Sequence, residues 1–70
     1  MFILYKYEGG EFVDVREADI HRLSLIKSYL KECGYKEGFT DYGTPTIYNE
    51  VDGVKQTEFI IQMVGEEIDN

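Results

Sequence analysis

The chain is poor in the residues that do chemistry: 70 residues include one histidine, one cysteine, one proline and no tryptophan, and seven Lys and Arg stand against fourteen Asp and Glu. Each shortage excludes something. A lone Cys33 cannot close an internal disulfide, so no disulfide framework exists and the chain reads as cytoplasmic. The apolar start Phe2-Ile3-Leu4-Tyr5 is broken by Lys6, too short a run for a secretion signal or a membrane span. The shortage of base gives a net charge of −7. That charge opposes direct binding of nucleic acid or anionic lipid, where Lys and Arg are needed for neutralisation.

Catalysis finds little support. His21 and Cys33 fall on one expected helix, roughly 18 Å apart along its axis at about 1.5 Å per residue, too far for a nucleophile and its base. Cys33 falls in the apolar stripe of that helix and is expected as a buried thiol acting as a small hydrophobe. Ser24 and Ser28 share the face of His21 but have no orienting third group. Glu17 and His21, four positions apart, make two metal ligands where a selective site needs more. The acid groupings Asp14, Glu17 and Asp19, and Glu66, Glu67 and Asp69, are what fourteen carboxylates on a short chain produce by chance. Gly9-Gly10 opens no helix, so it is a turn and not a phosphate loop. The expectation is a non-enzyme with no catalytic, cofactor-binding or metal-binding residue.

What is present is a foldable core. Apolar residues make up 43% and charged residues 30%, values of an ordinary folded domain rather than of a disordered acidic tail. Six Tyr and four Phe supply rings of a kind enriched at protein interfaces. One domain is expected over residues 1–65, with 66–70 an acidic C-terminal tail. At this size a single core barely offsets chain entropy, and pairing into a homodimer is one remedy.

Turn signals divide the chain into hairpin, helix, loop and hairpin. The fold expected is α+β, an antiparallel sheet of two β-hairpins with one amphipathic helix packed across it in ββαββ order. For the first hairpin a three-residue loop, Glu8-Gly9-Gly10, is preferred. It gathers Ile3, Tyr5, Tyr7, Val13 and Val15 on one face, whereas a two-residue Gly9-Gly10 loop would oppose Glu8 to Glu11. Phe2, Leu4 and Phe12 are left on the other face beside Lys6 and Asp14, so this sheet has apolar residues to cover on both sides. The helix is expected from Glu17 to Cys33 on the recurrence of Ala18, Leu23, Ile26, Tyr29, Leu30 and Cys33, with Leu25 on the shoulder. Asp14 or Asp19 is its N-cap and Gly34 its left-handed stop. Residues 35–45 read as an exposed loop. Asp52-Gly53 then turns a second hairpin. A two-residue turn faces Glu50 with Lys55, a three-residue loop gathers Ile47, Val51, Phe59, Ile61 and Met63, and both registers stay open.

The function expected is a non-catalytic protein-binding module whose partner carries a basic surface. Its contact residues are Tyr35, Phe39, Asp41, Tyr42, Tyr48, Glu50, Asp52, Glu66 and Glu67, aromatic and acidic side chains around the irregular stretch and the second turn. In a sharper form the chain inhibits a nucleic-acid-handling protein by presenting carboxylates in place of phosphates. In being short, acidic and single-domain it is similar to the antagonists that bacteriophages encode against restriction or CRISPR systems, a likeness of profile carried by no residue motif. The alternatives are a nucleotide- or small-ligand-binding homodimer in which Lys6, Arg16 and Arg22 converge, and an accessory subunit of a larger assembly.

Overall fold

The computed structural model describes residues 1–65, so the tail expected at 66–70 lies outside the described residues. It is an α+β fold: β1 (Phe2–Glu8), β2 (Glu11–Ala18), α1 (Ile20–Glu32), β3 (Lys36–Phe39), β4 (Pro45–Val51) and β5 (Val54–Met63). The strands form one antiparallel sheet in the order β2-β1-β5-β4-β3. The ββαββ order is therefore corrected to ββαβββ. The stretch read as a loop contains β3, in which Gly38 is a strand residue opposite Thr46. The site of a Cβ on Gly38 lies 3.2 Å from the Tyr48 ring, so the glycine makes room for that ring to lie across its strand.

Both hairpins are built alike. Gly9 and Gly10 have φ of 58° and 86°, and Asp52 and Gly53 have φ of 56° and 79°, the paired positive φ of a two-residue turn whose twist suits the flanking strands. In each, two regular pairs follow the turn and the third residue of the returning strand is then a bulge. Glu8 faces Glu11 and Tyr7 faces Phe12, after which Val13 is skipped and Lys6 faces Asp14. Val51 faces Val54 and Glu50 faces Lys55, after which Gln56 is skipped and Asn49 faces Thr57.

The three-residue loop expected at Glu8-Gly9-Gly10 is thus overturned. The opposition of Glu8 to Glu11 that argued against a two-residue turn is cheap here, because both side chains are exposed and Lys6 lies 3.3 Å from Glu8. The bulge restores the odd-to-odd pairing below it, Tyr5 with Val15 and Ile3 with Glu17, but places Phe12 beside Tyr7 rather than with Leu4. In the second hairpin both features expected of rival registers occur: Glu50 opposite Lys55 above the bulge, and Ile47 with Phe59 below it.

β2 and β3 are the two outer strands, so the helix joining them must cross the sheet. Thirteen residues at about 1.5 Å each span about 20 Å, close to the width of five strands spaced by about 4.8 Å. The helix starts later than expected, since Glu17 and Ala18 belong to β2. Asp19 is its N-cap and accepts the Arg22 N–H at 2.8 Å. At the other end Gly34 (φ 96°) directs its N–H to Lys31 O and that of Tyr35 to Leu30 O, closing the last turn as the sequence indicated.

The helix buries Leu23 and Leu30 against Leu4, Ile47 and Ile61 of the sheet and Ala18 at its edge, with Phe2, Ile26, Tyr35 and Phe59 around them. Each buried Leu contributes about 1.5–3 kcal/mol relative to exposure. Tyr29 and Cys33, expected in the buried stripe, are exposed, because a single helix crossing a sheet presses only a narrow line of side chains onto it.

Candidate binding surfaces

Two concavities and one bare face stand out. On the helix side, a groove of about 710 Å³ opens between α1 and the first hairpin. Leu4, Leu30 and Phe59 form its apolar base, and Ile26 and Tyr29 its helical wall. Lys6, Arg16 and Arg22, which sequence reasoning placed near one another, all line it, joined by His21. The strands put Lys6 and Arg16 there because both side chains alternate onto the helix face with Leu4, and the helix start brings His21 and Arg22 to the rim.

Most of this positive charge is locally matched. Arg16 Nε donates to Asp14 Oδ2 at 3.1 Å, and Lys6 Nζ is 3.3 Å from Glu8 and 5.8 Å from the centre of the Phe59 ring. The Arg16 hydrogen bond, followed by that of the Val15 N–H, holds the Asp14 carboxyl below the usual carboxylate range. The N-cap bond from the Arg22 N–H does the same for Asp19. The Tyr29 hydroxyl is pushed up, first by its hydrogen bond with Cys33 one turn on. Glu17, on β2, does not share a helical face with His21, which removes the two-ligand pair considered from spacing. Among the described residues no group of three His, Cys, Asp or Glu is placed to hold a metal ion.

The opposite face of the sheet carries no helix among the described residues. Alternation along β1 turns Ile3, Tyr5 and Tyr7 to it, and the register adds Phe12 and Val15 from β2 and Ile60 from β5. Phe12 lies 5.8 Å from Tyr7 and 6.4 Å from Tyr5, ring centre to ring centre, and is 54% exposed. A hollow of about 410 Å³ lies between the two hairpins on this side, with Tyr7, Glu58 and Ile60 in its lining. Further across, Lys55 sits 4.6 Å above the Tyr48 ring and 3.2 Å from Glu58.

The contact residues read from the sequence do not form one patch. Tyr35 is half-buried on the helix side, 6.3 Å from Phe59, whereas Tyr48 lies on the bare face. Phe39, Asp41 and Tyr42 are exposed at the β3–β4 connection, with Tyr42 96% exposed at its tip. Thr40 holds that connection, its Oγ1 accepting the N–H groups of Tyr42 and Thr44. Asp52 is at the far end of β4, and Glu50 is paired with Lys36 at 3.3 Å. Glu66 and Glu67 lie outside the described residues. The Tyr5, Tyr7 and Val15 face was legible from alternation, while Phe12 and Ile60 were missed because a bulge and a long-range register place them there.

Among the described residues no helix is long and apolar enough to cross a membrane. The chain matches no family model, no curated protein and no solved structure, so its own geometry carries the functional reading.

Proposed function

We propose that the chain is a non-catalytic protein-binding module that docks a partner protein on the bare face of its sheet. One observation carries this: Ile3, Tyr5, Tyr7, Phe12, Val15 and Ile60 form a continuous apolar, tyrosine-bearing strip that no element among the described residues covers. Exposed strips of this kind mark interaction sites, and Tyr rings near the centre of an interface tend to dominate its energy. The partner is a protein with an apolar docking centre and basic flanks, to complement a chain of net charge −7. Glu8, Asp14, Glu37, Glu50 and Glu58 already have a Lys or Arg beside them, so Glu17, at the margin of the strip, and Glu11, Asp41 and Asp52 are the acids that meet such flanks. In the inhibitor form of this reading the basic surface is one that otherwise holds nucleic acid.

The test is affinity capture from the native host lysate, followed by calorimetry with the purified captured protein. Tyr7→Glu and Phe12→Ser are expected to weaken that binding by at least about tenfold, while Leu25→Ser on the exposed helix surface leaves it unchanged. Equal binding by all three variants overturns the reading.

A second reading, a small anionic ligand in the helix-side groove, is favoured by the convergence of Lys6, Arg16 and Arg22 on an apolar base. Calorimetry with nucleoside mono- and diphosphates tests it, with heat lost on Arg22→Ala as the expected result and no heat from the unaltered protein as the refuting one.

A further inference from the structure

β2 is an outer strand of eight residues whose far edge pairs with no strand among the described residues. Which of its backbone groups face outward follows from the ladder. Gly9 N–H bonds to Gln56 O and Val64 N–H to Met1 O, so at both ends of β1 the odd-numbered positions bond towards β5. Alternation in an antiparallel strand then turns the even-numbered positions of β1 towards β2. Lys6 faces Asp14 and Leu4 faces Arg16, so these β2 residues bond inward, and Val15 and Glu17 direct their N–H and C=O away from the sheet. Val15 is 48% exposed and the Arg16 side chain 77% exposed, so the edge is open at its middle.

A strand that pairs antiparallel with a copy of itself must do so about one residue, and the charges of β2 choose that residue. Centring on Arg16 opposes Arg16 to itself, and centring on Glu17 opposes Glu17 to itself. Centring on Val15 sets Asp14 opposite Arg16 of the second copy, and Arg16 opposite its Asp14. Within one chain Asp14 holds Arg16 through Nε alone, so the remaining guanidinium N–H groups are left to reach the second copy. The two Val15 residues then exchange both backbone hydrogen bonds, and the Asp14–Arg16 pairs fall at the closer, non-hydrogen-bonded positions where side chains interact most strongly.

We propose that the chain forms a two-fold dimer by antiparallel pairing of β2 with β2 of a second copy, centred on Val15 and locked by two reciprocal Asp14–Arg16 ion pairs. The partner is a second copy because the edge is complementary to itself. The pairing makes one continuous sheet from the two, places the two bare faces side by side, and removes an edge that would otherwise attract unrelated strands. A small domain with a narrow core also gains stability from it. This goes beyond the protein-binding reading and does not depend on it, since Tyr7 and Ile60 lie away from the paired edge.

Charge exchange measured by sedimentation equilibrium tests the proposal. The unaltered chain is expected as a dimer. Asp14→Arg opposes Arg to Arg twice across the two-fold, and Arg16→Asp opposes Asp to Asp twice. Each alone is expected to weaken dimerisation at least about tenfold. Mixing the two variants sets an arginine opposite an aspartate at both cross-strand positions and is expected to restore a dimer containing one chain of each. The double variant, in which the two charges are exchanged within one chain, is expected to pair on its own. Far-ultraviolet circular dichroism matching the unaltered chain confirms that each variant is folded, and the mixed dimer does so independently. A monomeric unaltered chain at millimolar concentration, unimpaired dimers of the single variants, or a mixture that fails to pair would each overturn the proposal.

Discussion

The two hairpins share one plan and carry different weights in the fold. Each has a two-residue turn with positive φ at both positions, two regular pairs, and a bulge at the third residue of the returning strand. In the second hairpin the returning strand is β5, held between β1 and β4, and the carbonyl of its bulged Gln56 accepts the N–H of Gly9. In the first hairpin the returning strand is β2, an outer strand whose bulged Val13 is exposed. The same local chemistry thus makes a structural spine in one place and an open edge in the other. Turn residues decide local geometry, whereas position in the sheet decides how much each residue contributes.

The largest expected effect contrasts the apolar residues of the two. Ile47, fully buried in the second hairpin, is expected to cost about 2–5 kcal/mol on replacement by Ala. Val15→Ala in the first, at 48% exposure, costs under about 1 kcal/mol. Urea unfolding monitored by circular dichroism measures both, with the Val15 variant compared below the concentration at which chains pair. Equal losses would abolish the distinction.

The turns, by contrast, should respond alike. Gly10→Ala and Gly53→Ala, at φ of 86° and 79°, are each expected to lose about 1–2 kcal/mol through left-handed strain. Thermal melts that differ widely between the two would show that the plan is not shared. Gly9→Asn, which gives the first turn a residue suited to the left-handed region as Asp52 is in the second, is expected to gain up to about 0.5 kcal/mol. A loss in the same melt would argue that Gly9 serves another purpose.

The smallest effect is on pH. Asp14, Asp19 and Glu37 have carboxyls held below their ordinary range, respectively by Arg16, the Arg22 N–H and Lys31. A carboxyl with a depressed folded-state value adds stability above its unfolded value, about 4, and loses it as pH falls through the folded value. Stability should therefore be flat above about pH 5 and decline below about pH 4. Carbon-detected NMR titration should find the Asp14 carboxyl below the usual range, and Arg16→Gln should return it towards that range.

Much of this fold was legible where one residue type decides the outcome. Asp52-Gly53, Gly34 and the β1 alternation each specify a backbone state or a face on their own. The helix start was less so, because Glu17 and Ala18 suit a first helical turn and only their pairing with Ile3 and Phe2 makes them strand. β3 was hidden by Gly38, whose missing side chain leaves the space that the Tyr48 ring from β4 fills. For the candidate surfaces, the convergence of Lys6, Arg16 and Arg22 was foreseen from their places near the first hairpin and the helix start. The bare-face strip was half visible: Phe12 changed faces at a bulge, and Ile60 joined through a pairing that spans most of the chain, which no local pattern encodes.

That distant pairing governs how the molecule is made. β1 is synthesised before every other strand described and β5 after them, yet they are neighbours in the centre of the sheet. Until β5 leaves the ribosome, one long side of β1 has no strand beside it, and the first hairpin waits with its apolar side chains unsheltered. Completion of the sheet therefore cannot precede the synthesis of β5 and is limited by closure of the long stretch between the two strands. The growing chain is at its most vulnerable to mispairing just before β5 emerges.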